Sequence, residues 1–232
     1  MRITILGSGT SCGVPQIGCT CAVCTSQDPR DKRLRCSSLV EVRGKRILID
    51  CSPDFRQQML GIDFKPLDAV LITHEHYDHV GGLDDLRPYS VFGDVNVYAE
   101  KFCADHLMEM EPHVPIKVGE DVEVIPIRVM HAKLPIVGFR IDNFAYITDM
   151  KTIPPTELSY LQGIDYMIVN GLRHKEHPSH QSIDDAITFA QQLGVKEAWL
   201  VHMSHHIQPH AEEEKTLPPG IHLAYDGEVI TF

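Results

Sequence analysis

Aromatic side chains make up only 7% of this 232-residue chain, and there is a single Trp. Basic residues are also scarce: 21 Lys and Arg stand against 32 Asp and Glu, a formal charge of −11. An acidic chain repels phosphate backbones at long range, which argues against nucleic acid as a partner. No stretch approaches the ~20 consecutive apolar residues of a bilayer-spanning helix, so no membrane partner is expected. The opening run Met1-Arg2-Ile3-Thr4-Ile5-Leu6-Gly7 breaks too soon for a secretory signal, and the expected location is the cytoplasm. Repeats, low-complexity tracts and linker-like composition shifts are missing, so one domain over residues 1–232 is the simplest organisation. Apolar residues reach 43%, enough to offset chain entropy and exclude disorder as the dominant state.

What the chain does have is histidine. There are 14, crowded into 74–79, 174–180 and 202–210. Imidazole is the commonest transition-metal ligand, and such crowding points to metal chemistry. The seven Cys are an odd number, and three of them, Cys19, Cys21 and Cys24, lie within six residues. In a cytoplasmic chain that density reads as metal binding rather than a disulfide framework.

The pattern predicts a first strand over Arg2–Leu6, then a long Gly- and Cys-rich loop over 7–36. Leu39–Val42 and Ile47–Asp50 flank Arg43-Gly44-Lys45-Arg46 as a hairpin. Further strands are predicted over Ala69–Thr73, Val95–Ala99 and Val122–Val129. Val137–Ile141 and Phe144–Thr148 form a second hairpin, and Tyr166–Val169, Ala198–Val201 and Glu228–Thr231 complete the strands. Helices are expected over Pro53–Leu60, Glu100–Met110, Pro154–Leu161 and Ser182–Leu193, the last with Ser182 as N-cap and Gly194 as stop. Strands and hairpins alternating with helices predict two packed sheets with helices outside, an α/β sandwich.

The buried strand at Ala69–Thr73 runs into His74-Glu75-His76-Tyr77-Asp78-His79. Two His at i and i+2 after a strand can converge on one ion, and Asp78 with His79 can serve a second. This motif resembles that of the metallo-β-lactamase superfamily, which implies a four-layer αββα sandwich and three further ligands, each near the end of a later strand. They are present in order: His131 in Val129-Met130-His131, Asp149 in Ile147-Thr148-Asp149 and His202 in Leu200-Val201-His202. The resemblance assigns His74, His76 and His131 to one ion, Asp78, His79 and His202 to the other, and Asp149 as the bridge. Two such ions, Zn or Mn, would share a bridging hydroxide and polarise the substrate.

Cys19, Cys21 and Cys24 at C-x-C-x2-C spacing supply three thiolates and leave one tetrahedral position open. This loop resembles the phosphoribosyl cyclic phosphodiesterase (PhnP) branch of the superfamily. The resemblance implies a structural zinc with His205 as fourth ligand, and His206 as the competing candidate. Cys12, Cys36, Cys51 and Cys103 read as small core or surface thiols.

The resemblance also names His180, just before the last long helix, as a group that protonates the leaving oxygen or contacts the phosphate. His180 and Asp78 are thus the catalytic candidates, Asp78 doubling as a ligand. His174 and His177 are candidates for the pocket wall, Arg173 and Lys175 for a second phosphate, and the backbone of Gly7-Ser8-Gly9-Thr10-Ser11 for an anion cradle. A dinuclear metal-dependent hydrolase of a small phosphorylated substrate is the expected function, most specifically a phosphodiesterase acting on a cyclic phosphodiester. The alternatives in the same superfamily are tRNA 3′-end processing, thioester or lactone hydrolysis, and a non-enzymatic role in cofactor biosynthesis or metal-dependent binding. A homodimer fits the same resemblance.

Overall fold

The computed structural model describes residues 1–101 and 107–232. Six strands open the fold: β1 (Arg2–Gly7), β2 (Ser37–Val42), β3 (Lys45–Ile49), β4 (Ala69–Leu71), β5 (Val97–Ala99) and β6 (Met108–Glu109). Then come β7 (Ile116–Val118), β8 (Val122–His131), β9 (Leu134–Ile141), β10 (Phe144–Ile147), β11 (Tyr166–Asn170), β12 (Glu197–Val201) and β13 (Ile221–Leu223). The last strand, β14 (Val229–Thr231), returns to the first sheet beside β1. One sheet runs β14-β1-β2-β3-β4-β5-β6 and the other β13-β12-β11-β10-β9-β8-β7.

The alternation of side chains along each strand builds the layers. In β3, Ile47 and Ile49 join Ile3, Ile5 and Val40 in the cluster between the sheets, while Leu48 faces the opposite side with Phe55 and Leu67. In β10, Phe144 and Tyr146 enter that same inter-sheet cluster, whereas Ala145 and Ile147 pack outward with Ala186 and Ala190 of the helix Ile183–Leu193. Two sheets face to face with helices outside are the expected αββα sandwich. No helix among the described residues is long and apolar enough to cross a membrane.

The helix Ile183–Leu193 forms as expected. Ser182 accepts from the Asp185 amide, Asp185 accepts from the Ser182 amide, and Gly194 ends the helix at φ 70°. The first hairpin turns at Arg43 and Gly44, both at positive φ, a conformation whose twist suits tight hairpins.

Other elements differ from the sequence expectation. The helix expected over Pro53–Leu60 is confined to Phe55–Met59. The segment Pro155–Leu161 is a 3-10 helix, with Glu157 N donating to Pro154 O. The middle of the helix expected over Glu100–Met110, with Cys103, lies outside the described residues. Met108–Glu109 pairs instead with β5 as an edge strand. The long early loop contains two short helical turns, Ala22–Thr25 and Pro29–Asp31. The 3-10 turns over Leu83–Phe92 and the short strands β6, β7 and β13 were not legible in the pattern.

Candidate metal centre

β3 and β4 run parallel in one sheet, and β10, β11 and β12 run parallel in the other. Their carboxyl ends deliver Asp50, His74, Asp149 and His202, and His131 closes β8. Three of these residues, Asp50, Asp149 and His202, have positive φ of 60°, 56° and 58°. Non-glycine residues rarely adopt this left-handed conformation, and it turns the chain out of the strand within one residue.

The side chains converge. Asp78, His79, Asp149 and His202 each offer a ligand atom, all within 4.8 Å of one another, and His131, Asp149 and His180 form a second such group. Asp149 Oδ2 is 3.3 Å from His79 Nε2, while its Oδ1 is 3.2 Å from His202 Nε2 and 3.0 Å from His180 Nε2. His74 Nε2 is 3.0 Å from His76 Nδ1, and the His76 and His131 rings are 5.1 Å apart. All seven expected ligand residues therefore border one crevice, and His180 joins them.

A shell of hydrogen bonds orients the rings. Asp50 Oδ2 lies 2.6 Å from His79 Nδ1, and the Thr73 hydroxyl donates to Asp50 and lies 3.0 Å from His74 Nδ1. His131 Nδ1 donates to the Asp149 carbonyl at 2.8 Å. Each contact occupies one ring nitrogen and turns the other toward the crevice. Thr10 Oγ1 lies 3.1 Å from His202 Nε2. Asp50, Thr73 and Thr10 were missed at the sequence level; the one available signal was Asp50, an acid closing an apolar strand.

The donor set fits divalent ions. His79 Nε2 is buried with no hydrogen-bond partner among the described residues, and leaving such an atom unpaired costs about 1–3 kcal/mol. Burial pushes His74 well below the ordinary imidazole range, lowers His131, and takes His202 down to about 4. Neutral imidazole is the ligand form. Burial would raise Asp149, but His202 and His79 outweigh it and hold the carboxyl well below its usual range. Burial would likewise raise Asp78, yet His79 brings it to about 2. Burial alone would lower His79; the Asp50 and Asp149 carboxylates hold it well above the ordinary range.

A second cluster lies in the early loop. The ligand atoms of Cys19, Cys21, Cys24 and His205 fall within 4.8 Å of one another, with His205 Nδ1 3.1 Å from Cys19 Sγ and 3.5 Å from Cys21 Sγ. His205, not His206, completes the group. Burial would raise the Cys21 thiol, but the Cys24 amide, His205 and Cys19 bring it to about 6, while burial pushes Cys24 up to about 11. Three sulfurs and an imidazole suit tetrahedral zinc.

Other expected groups have different roles. The amides of Ser8, Gly9 and Thr10 already donate to Asp226, Leu34 O and Met203 O, so they cannot cradle an anion. Arg173 folds back onto the carbonyls of Lys175 and Glu176. His174 Nε2 is 2.6 Å from the buried Glu213, outside the ligand groups. His177 Nδ1 lies 3.1 Å from His180 Nδ1 and does border the site. Cys36 and Cys51 are buried and Cys12 is exposed.

The family description Beta-lactamase superfamily domain matches residues 45–203. A crystal structure of a diphosphatase from the PhnP family is 41% identical, with a TM-score of 0.93 over 99% of this chain and 97% of its own. A zinc-bound PqqB from Methylobacterium extorquens shares the fold at 20% identity, with a TM-score of 0.79 over all of both chains. An octanoyltransferase of Porphyromonas gingivalis is 48% identical over 98% of this chain, which spans only 51% of that relative's length. On this agreement of motif, fold and matched sequence, the chain belongs to the metallo-β-lactamase superfamily and resembles its PhnP family.

Proposed function

We propose that the chain is a metal-dependent hydrolase of phosphodiesterase type acting on a small phosphorylated substrate, with 5-phosphoribosyl 1,2-cyclic phosphate the first candidate. The observation that carries this reading is Asp149, whose two oxygens are divided between His79 on one side and His180 and His202 on the other. One ion would take His74, His76 and His131, the other Asp78, His79 and His202, with Asp149 between them. When bound, the two ions, Zn or Mn, supply an activated water and neutralise charge on the attacked phosphate. His180 presents Nε2 to the site while Ser179 Oγ and His177 hold its Nδ1 at 3.1 Å, so it is positioned to give a proton to the leaving oxygen. A zinc on Cys19, Cys21, Cys24 and His205 is structural, with no position left for substrate.

A second reading is hydrolysis of a diphosphate, favoured by the 41% identical PhnP-family diphosphatase. Both bonds break by attack on phosphorus, but the leaving groups differ. An alkoxide leaves poorly without a proton, whereas phosphate leaves well. His180→Asn therefore separates them: a loss of about 10²–10⁴ in kcat is expected for a cyclic phosphodiester and far less for a diphosphate. The octanoyltransferase has as much chain again outside the match, so an acyl-transfer activity needs its own test.

The experiment offers Zn- or Mn-loaded protein the cyclic phosphate, a linear diphosphate diester, short RNA and an octanoyl thioester. Turnover of the cyclic phosphate, abolished in Asp149→Ala with the circular dichroism spectrum retained, is the expected result. Thioester cleavage without phosphate release would overturn the reading, and preference for RNA would move the chain to the processing nucleases.

A further inference from the structure

Cys36 was expected to be an ordinary core thiol, but its surroundings are polar and directional. It is fully buried immediately before β2, with Tyr146 of β10 and Thr148, also fully buried, beside it. Tyr146 Oη is 3.4 Å from Cys36 Sγ, Thr148 Oγ1 is 3.8 Å from the same sulfur, and Thr148 Oγ1 donates to Asp149 Oδ2 at 2.8 Å. A carboxylate has no proton to give, so the single Thr148 hydroxyl proton goes to Asp149. Behind it, the Tyr146 phenol and the Cys36 thiol face each other, and either can donate its proton to the other. Burial pushes the Cys36 thiol up to about 12, so it keeps that proton at neutral pH.

These contacts run from Tyr146 of the second sheet to Cys36 just before β2 of the first, then back to Thr148 and one oxygen of Asp149 beyond β10. The position is informative. His74, His76, Asp78 and His79 follow β4 of the first sheet, while His131, Asp149 and His202 follow strands of the second. Asp149 itself has a left-handed backbone, and its side chain is tied to the hydroxyl of the residue before it. Thr148 holds Oδ2 and leaves Oδ1 to His180 and His202.

We propose that Thr148, backed by Cys36 and Tyr146, is a positioning residue that sets the Asp149 carboxylate between the two halves of the metal site. This rests on the reading of Asp149 as a bridging ligand. Groups that orient a ligand in this way typically carry 10–100-fold in metal affinity.

The test measures Mn²⁺ binding by the loss of its free-ion electron paramagnetic resonance signal, because a hard ion avoids the thiolate cluster. Thr148→Val, which keeps the shape and removes the hydroxyl, should weaken Mn²⁺ binding by about tenfold or more. Thr148→Ser should return it close to wild type, and Cys36→Ala and Tyr146→Phe should fall between. Wild-type affinity in Thr148→Val would overturn the proposal, as would a Thr148→Ser protein as impaired as Thr148→Val, which would assign the effect to the lost methyl group. Failure of the wild-type protein to take up Mn²⁺ would instead remove the bridging-ligand reading, and this proposal with it.

Discussion

His202 and Asp149 face each other at 3.2 Å, and burial has opposite consequences for them. It drives His202 down to about 4, while the neighbouring imidazoles hold Asp149 well below its usual range. With an unfolded value near 6.5, the unfolded chain binds the proton at His202 first as the pH falls. The stability this group contributes is therefore full above about pH 6.5 and is lost as pH falls through 4, on the order of 3 kcal/mol. His79 works in the other window: its value is raised, so its contribution is full below about pH 6.5 and fades as the pH rises. Asp78, lowered to about 2, and Asp149 act below both. Urea unfolding of chelator-treated protein should show falling stability between pH 6.5 and 4.5, and His202→Asn should flatten that slope. The candidate ligand residues were legible because three His and an Asp crowd into 74–79 after a buried strand, and His131, Asp149 and His202 follow in the order the resemblance requires. Thr73 and Thr148 were not, and Asp50 left only the weak signal of an acid closing an apolar strand, since a lone Thr or acid at a strand end becomes chemical only beside a particular ring.

Among the elements, the helix Ile183–Leu193 begins three residues after His180, the proposed proton donor. Its start is held by a reciprocal cap between Ser182 and Asp185, and Gln181 N donates to Met150 O beside Asp149. Ser182→Ala should cost about 1 kcal/mol of stability, read as a lower thermal midpoint. No change in that midpoint would mean the cap is replaced by water. This helix was readable because its cap, apolar face and terminal glycine agree. The 3-10 segment at Leu83–Phe92 was not, because an i→i+3 turn has no sustained apolar period, while Pro155–Leu161 was legible as helical but not as 3-10. The two- and three-residue strands β6, β7 and β13 are too short to alternate, and owe their existence to an available neighbouring edge.

For the molecule as a whole, the early loop is joined to the segment carrying His202. Met203 N donates to Ser8 O, Thr10 N donates to Met203 O, and Cys19 and Cys21 meet His205. Cys21→Ser should lower bound zinc and the melting temperature together while changing the intrinsic turnover of fully loaded protein much less. An unchanged zinc content and melting temperature would remove the structural role. The sandwich itself was legible from the alternation of strand types, but its strand order was not, since the last strand returns beside the first across the whole chain. That division of the ligands between two sheets also bears on biosynthesis. A ribosome-bound chain that has emerged only through β5 carries His74, His76, Asp78 and His79 but lacks the carboxylate that would hold two ions together. On the proposed two-ion site such a chain would hold a cation only loosely, and a metal pair would form only once the second sheet docks.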